Sequence, residues 1–273
     1  MLPITELAKA KVNLNLHILG RRPDGYHELS SCVGFVDVAD VLSFEPAQVN
    51  ALEVSGPFAA DVPMGETNSV WKAYSWLAAR MLLPLVHVKL EKNLPVASGI
   101  GGGSADAAAM LRGLLRLVEK TLSEDEITGL AADLGADVPV CFRGQACLMQ
   151  GIGEKISILS EQLPPALVLV NPLVACSTAE VFKAMALKPG EMRAAPTKAE
   201  WRNDMTVAAI HVQPKIVNVL SALHKTDLFP VLMSGSGATC FGIARDFSEA
   251  EKTAAELTKL NPNWWVKAAR IVT

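Results

Sequence analysis

The chain has no Cys-x-x-Cys pair, although it holds five cysteines, at 32, 141, 147, 176 and 240. Their scattered spacing argues against a zinc site, and an odd number without a secretion signal fits a reducing compartment. That signal is missing from MLPITELAKAKVNLNL, which has no basic stretch followed by a continuous apolar core. No long apolar run is found either. The longest uncharged stretch, Gln162 to Ala179, is broken by prolines at 164, 165 and 172, which speaks against a membrane helix. A basic excess is also lacking. With a net charge of -3, nucleic acid is not the expected partner. No internal repeat or low-complexity tract stands out. The expectation is a soluble cytoplasmic protein without membrane or nucleic-acid partners, acting as a monomer or weak homodimer.

Half of the 273 residues are hydrophobic, enough for a substantial core in one large domain or two ordinary ones. Val12, Leu14, Leu16 and Ile18 alternate with Lys11, Asn13, Asn15 and His17, which predicts a strand with one oily and one polar face. RRPDGYH follows as a turn. Val33–Phe44 and the alternating Val86, Val88 and Leu90 read as further strands, and Asn68–Leu83 as a helix. Ser123 with Glu126, Ser177 with Glu180, and Ser248 with Glu251 each carry a helix-start signature, the first of these helices ending at Gly135. Leu167–Val170 suits a buried strand, and Leu187–Ala199 a loop. Val231–Ala244 suits two strands around Gly235-Ser236-Gly237. Strands and helices mix without strict alternation, so the expected class is α+β. Pro164 and Pro165 suggest a boundary near 158, giving domains 1–157 and 158–273.

The stretch PVASGIGGGSADAAAML, Pro95 to Leu111, sets three consecutive glycines and a serine before an alanine-rich helix whose apolar face continues through Leu114, Leu115 and Val118. Glycine lets the backbone turn sharply and present bare N–H groups. A helix N-terminus adds unpaired N–H groups and the positive end of the helix dipole. The combination is an anion site, most often for phosphate. Ser104 is placed to cap the helix or reach a phosphate, and Asp106 suits the first-turn dipole. A plain capped turn is the bland alternative. The Walker pattern fails because Gly103 is followed by Ser104 and Ala105 rather than Lys-Ser. The dinucleotide fingerprint is disfavoured because Glu119 and Glu124 flank a helix end and a cap, not a strand end.

This loop resembles the ATP loop of the GHMP kinases, the superfamily of galactokinase, homoserine kinase and mevalonate kinase. AKVNLNLHILGRRPDGYHEL, LGADVPVCF and SGSGATCFG are similar to further signatures of that family, in chain order, and the GYH stretch favours its branch acting on a cytidyl-bearing alcohol. The resemblance implies two α+β domains with the active site in the cleft between them. It implies transfer of the γ-phosphoryl group of ATP, with Mg2+ expected alongside, to a small-molecule cytidyl substrate on the non-mevalonate route to isoprenoid precursors. A related small-alcohol kinase acting on homoserine or mevalonate is the alternative. Ala97, Ser98 and Ala105 stand where glycine, another small residue or serine is common.

Phosphoryl transfer needs alignment, charge neutralisation and an oriented nucleophile. The resemblance makes Asp137 the general base and Lys11 its charge partner. By themselves they read as a turn aspartate and a lysine on a solvated strand face. Asn13 would position substrate, while His17 on the same face is expected to be structural. Tyr26 and His27 would hold the cytosine by stacking and by its polar edge. Phe182 would be the second aromatic of that sandwich, and Thr178 a substrate-side residue. For the nucleotide, the resemblance points to Asn68 near the adenine, Lys92, Pro95, Gly99, Gly101, Gly102, Gly103 and Ser104. Gly235, Ser236 and Gly237 would approach from the C-terminal side. Asn68 could equally cap a helix, Lys92 be an ordinary surface lysine, and Gly235–Gly237 a hairpin turn. No residue is assigned as a metal ligand.

Overall fold

A computed structural model describes residues 4–160, 163–194 and 200–272. The first elements are β1 (Ile4–Asn13), β2 (His17–Arg21), β3 (His27–Pro46), β4 (Ala51–Ser55), α1 (Ser69–Ala78), β5 (Val86–Glu91) and α2 (Gly102–Leu117). Next come α3 (Glu124–Asp133), α4 (Val138–Arg143), β6 (Cys147–Gly151), β7 (Lys155–Ile158), β8 (Ala166–Asn171) and α5 (Thr178–Ala184). The chain closes with α6 (Thr206–Val212), α7 (Lys215–Leu223), β9 (Val231–Met233), β10 (Cys240–Ala244), α8 (Phe247–Leu260) and β11 (Trp265–Val272). Among the described residues no helix is long and apolar enough to cross a membrane.

The class is α+β, but the compact units do not follow a boundary at 158. One unit takes the chain up to Ala10, Val38–Val96 and Gly101–Gly144. The other takes Lys11–Asp37, Ala97–Ile100 and the chain from Gln145 onward. The physical reason is strand pairing. Leu29–Val33 of β3 pair with β6, and Phe35 and Val36 pair with β11, so the start of β3 belongs with the C-terminal half of the chain.

In the first unit, β5 pairs antiparallel with Val41–Pro46 of β3 and parallel with β4. Val86, Val88 and Leu90 are buried while Glu91 is exposed, as the alternation requires. Helix α1 starts later and ends sooner than expected. Asn68 is its cap, the Oδ1 accepting from the Val70 N–H at 2.8 Å. Its end at Ala78 precedes Pro84, which disfavours helix in the residue before it. Helix α3 has the expected capping box, the Ser123 N–H donating to Glu126 at 2.7 Å. Helix α2 is buried on most sides, lined by Ala105, Ala107, Ala108 and Ala109 as well as Leu111 and Leu114. Small side chains let it pack closely against α1 and α4.

In the second unit, β11, β8, β10 and β9 form an antiparallel sheet in that order. Every residue of β8 is buried, which explains its continuous apolar run. Leu16, Ile18, Val168 and Val170 pack with Val181, Ile216, Val219 and Leu257 from α5, α7 and α8 in one core. The expected strand through Ile18 is split in two. Leu16 leaves the ladder because its N–H donates to the Arg202 carbonyl and its own carbonyl accepts from Asp204, both at 2.9 Å. The polar face is not solvated either, since Lys11, Asn13 and His17 are all buried. Helix α8 begins two residues before the expected Ser248–Glu251 signature. Asp246 is the cap, accepting from the Glu249 N–H at 2.8 Å, and aspartate caps as well as serine does. Residues 187–194 are largely irregular, as expected of a loop, and 195–199 lie outside the described residues.

One contact tests how tightly the first unit is packed. A Cβ added at Gly113 in α2 would lie 2.3 Å from the buried Phe44 ring. Helix propensity alone favours Gly113→Ala by about 1 kcal/mol. Overpacking should reverse that sign, for a net loss of about 1–3 kcal/mol in denaturant unfolding. An unchanged or raised midpoint would mean that Phe44 moves aside freely.

Candidate active site

Helix α2 begins without a side-chain cap. Its N-cap is Gly101, held left-handed at φ 68°, with no side-chain cap bond. The first internal bond runs from Ala105 N–H to the Gly101 carbonyl at 2.8 Å. Helix geometry therefore leaves the N–H groups of Gly102, Gly103 and Ser104 without intrahelical acceptors. Ser104 sits inside the first turn and is not the cap. Gly103 is exposed and Ser104 half-buried, so this end of the helix is open to an anion.

Directly beneath lies Lys92, which is not a surface lysine. It is 3% exposed, and its Nζ lies 2.5 Å from Asp40 Oδ2 and 2.6 Å from Asp106 Oδ2. Asp40 Oδ1 also accepts from the N–H groups of Asn93 and Leu94, at 2.6 and 2.8 Å. A Cβ on Gly102 would stand 3.3 Å from the ammonium, a tight contact that a shift of a few tenths of an ångström would relieve. Asp106 is buried rather than displayed at the helix end. Burial pushes its carboxyl up to about 8, with Lys92 pulling it down and Asp40 pushing it up further. Burial opposes the Lys92 charge, but Asp106 and Asp40 outweigh it and its ammonium titrates higher than usual.

The second unit joins the start of the glycine loop to Gly235-Ser236-Gly237. The Ser98 carbonyl accepts from Thr239 N–H at 3.0 Å, and the Gly99 carbonyl from Ser234 Oγ at 2.9 Å. A Cβ on Gly99, where φ is 77°, would lie 2.5 Å from the Ser234 carbonyl. One on Gly235 would lie 2.8 Å from the Gly99 carbonyl. The two glycine loops meet backbone to backbone, so Gly235–Gly237 is more than a hairpin turn.

Lys11 and Asn13 enter the same network. The Lys11 N–H donates to the Ile100 carbonyl at 2.9 Å, and its Nζ to Asn13 Oδ1 at 3.0 Å. The Asn13 N–H reaches Ser234 Oγ at 3.1 Å, and its Nδ2 reaches Ser31 Oγ at 2.7 Å. Ser236 shares a 2.7 Å hydrogen bond with Thr178, whose position follows from the Ser177 cap on α5. Asn203 supports the loop from behind, its Nδ2 donating to the Met233 and Gly235 carbonyls at 2.7 and 2.8 Å.

The aromatic residues divide differently from the expectation. His27 and Phe182 stack with ring centres 4.3 Å apart and planes inclined by 18°. Tyr26 is 60% exposed and takes no part in that stack. His27 Nε2 is buried without a protein partner. Burial first, and Arg21 second, holds its ring below the ordinary range, which favours neutral imidazole. His17 is buried with neither ring nitrogen paired. Asn68 is used as the α1 cap, and its Nδ2 donates to the Pro63 carbonyl at 2.8 Å. Pro95 is buried, while Asp137 is half-buried at the N-cap position of α4 and does not cap it.

Sequence reasoning missed Asp40, Ser234, Thr239 and Asn203. Ser234 was the most accessible of these, since it directly precedes Gly235. The others act on residues far along the chain.

The family profile described as GHMP kinases N terminal domain matches residues 68–145, and that described as GHMP kinases C terminal matches 186–263. A 4-diphosphocytidyl-2-C-methyl-D-erythritol kinase of Rhizobium etli (strain CIAT 652) is 43% identical, covering 99% of this chain and 95% of the relative. One from Paramagnetospirillum magneticum is 44% identical, covering 97% and 98%. A crystal structure of 4-(cytidine 5'-diphospho)-2C-methyl-D-erythritol kinase superposes with TM-score 0.80 at 30% identity, covering 98% and 99%. Homoserine kinase from Cytophaga hutchinsonii, at 15% identity and TM-score 0.69 over 99% and 95%, shares the fold.

Asn203 provides a test of the loop's support. Asn203→Ala removes the donor to two backbone carbonyls and should cost about 1–3 kcal/mol in urea unfolding. A loss under about 0.5 kcal/mol would mean that other donors replace it.

Proposed function

The chain belongs to the 4-diphosphocytidyl-2-C-methyl-D-erythritol kinase family of GHMP kinases, and on that premise we propose that it phosphorylates the 2-hydroxyl of this cytidyl alcohol with ATP. The product would enter the non-mevalonate route to isoprenoid precursors. The observation that carries the reading is the uncapped start of α2, where Gly101 and its neighbours leave backbone N–H groups for a triphosphate.

The acceptor oxygen attacks the γ-phosphorus. The bond from that phosphorus to the β–γ bridging oxygen breaks, and ADP leaves. The hydroxyl proton passes to Asp137, which also orients the nucleophile. Lys11 supplies positive charge against the negative charge on the transferring group. Asn13, already holding Lys11 Nζ, fixes that ammonium and offers its amide to the acceptor. Gly99, Gly101, Gly102, Gly103 and Ser104 take the phosphates, with Pro95 setting the loop's entry. Gly235, Ser236 and Gly237 serve the phosphates or the acceptor, and Thr178, bonded to Ser236, serves the acceptor. Asn68 serves the nucleotide by starting α1 beside the adenine, its own amide being engaged in the cap.

The cytosine would use the His27–Phe182 pair. A neutral imidazole carries one donor and one acceptor, matching the mixed polar edge of a cytosine. Tyr26 is free to cover the base from the solvent side.

Magnesium supplies charge neutralisation when it arrives with the triphosphate. Among the described residues no group of three or more His, Cys, Asp or Glu could hold a metal ion. Phosphate oxygens and water would be its ligands, and no step here is routed through it.

An ATP-consumption assay tests the assignment. The cytidyl alcohol should turn over at least about 100-fold more efficiently, in kcat/KM, than homoserine or mevalonate, a margin of at least about 2.7 kcal/mol in transition-state binding. Comparable efficiency on either alternative would overturn the choice of substrate.

Two variants separate chemistry from binding. Asp137→Ala should lower kcat by about 10³-fold or more while ATP still binds. Retention of most activity would remove it as the base. Phe182→Ala should raise KM for the cytidyl substrate about 10-fold with kcat nearly kept. An unchanged KM would place the cytosine elsewhere.

A further inference from the structure

We propose that Lys92 is a positioning residue for the nucleotide: clamped between Asp40 and Asp106, it fixes the first turn of α2 as a phosphate cradle without touching phosphate itself. This rests on the ATP reading of that turn. It refines the sequence reading, in which Lys92 either served the nucleotide or was an ordinary surface lysine.

Three observations carry it. First, the Lys92 ammonium is already occupied. Two of its three N–H donors face carboxylate oxygens at 2.5 and 2.6 Å, and all three side chains are at least 96% buried. Second, the clamp joins three separate parts of the chain. Asp40 lies in β3, Lys92 directly follows β5, and Asp106 lies one turn into α2. Asp40 adds two bonds to the backbone of Asn93 and Leu94, so the segment leading into the glycine loop is held at both its backbone and its side chain. Third, the ammonium lies against the start of the cradle, with only the missing Cβ of Gly102 between them.

Charge balance gives the clamp a second consequence. Two carboxylates and one ammonium would leave a negative charge beneath an anion site. Among the described residues Asp106 Oδ1 has no hydrogen-bond partner, and burial favours the neutral acid. The charged groups acting on Asp106 are Lys92 and Asp40, and its carboxyl is held up at about 8. Below that pH the cluster is neutral and the cradle's dipole is unopposed. As pH rises through it, Asp106 loses its proton and the added charge repels the triphosphate.

The test measures ATP binding and steady-state kinetics of the full chain. Asp40→Asn should raise KM for ATP about 10-fold, change kcat less than about 3-fold, and leave KM for the cytidyl substrate unchanged. Lys92→Met strands two buried acids, so the double variant Lys92→Met/Asp40→Asn serves beside it. That double variant should be no worse for ATP than the sum of its parts predicts, and close to Lys92→Met where both fold, because Asp40 acts through Lys92. In the unsubstituted chain KM for ATP should rise about 3- to 10-fold between pH 7 and pH 9, and Asp106→Asn should abolish that rise. Tighter ATP binding by Asp40→Asn would show a freed ammonium acting directly on phosphate and would overturn the clamp. So would an unchanged KM for ATP in a folded Asp40→Asn, or an Asp106→Asn pH profile parallel to the unsubstituted chain. If the unsubstituted chain binds no ATP, the ATP reading and the clamp fall together. If it binds ATP and the variants match it, the clamp alone falls.

Discussion

A lysine held between two carboxylates in the interior of the first unit fixes where helix α2 begins, and the proposed phosphate cradle depends on that point. Buried charges are costly unless paired, and losing one partner of such a pair typically costs about 3–5 kcal/mol. Lys92 therefore cannot leave Asp40 and Asp106 without a large penalty. The result is a helix end that is rigid in position yet uncapped in chemistry. Its N–H groups are directed by charges that remain beneath the surface, which is how a mobile residue type, glycine, comes to present a fixed array.

The second unit reaches a similar end by other means. There the rigidity comes from neutral hydrogen bonds running between backbone and side chain. Ser234 receives the Asn13 N–H and donates to the Gly99 carbonyl. Asn171 anchors Thr239, which reaches Ser98, and Asn203 holds the carbonyls of Met233 and Gly235. Gly99 and Gly235 are needed because the nearest opposing group is backbone, which cannot swing aside as a side chain would. The reactive candidates Lys11 and Asn13 take their orientation from this network, so substrate-side geometry and loop geometry are set together.

What could be read in the sequence was the part governed by local physics. The Ser123 capping box, the alternation of β5, the buried run of β8 and the glycine-to-helix transition each follow from residues within one or two turns of one another. Lys92 could be singled out, but its partner Asp40 lies 52 positions away, and nothing local announces the pairing. For the same reason Lys11, read by itself, looked like a lysine on a solvated strand face although it is buried. The boundary near 158 was read from composition, whereas the compact units follow the long-range pairing of β3. Helix α8 was offset because two adjacent cap candidates, Asp246 and Ser248, differ only in context. Tyr26 and His27 are neighbours in a turn, and sequence cannot say which ring reaches Phe182.

The departures from the family's glycine and serine pattern follow from these two kinds of rigidity. Ala97 adopts φ 51°, a left-handed conformation that costs a non-glycine residue on the order of 1–2 kcal/mol. It is exposed, so its Cβ meets solvent rather than backbone, unlike the Cβ that Gly99 would carry. Ser98 is buried and contributes its backbone carbonyl to Thr239. Ala105 is buried in the first turn of α2, where a hydroxyl would need a partner, and alanine leaves no such requirement. The positions that are not free to vary, Gly99 and Gly235, are those where a neighbouring backbone carbonyl occupies the space of a Cβ.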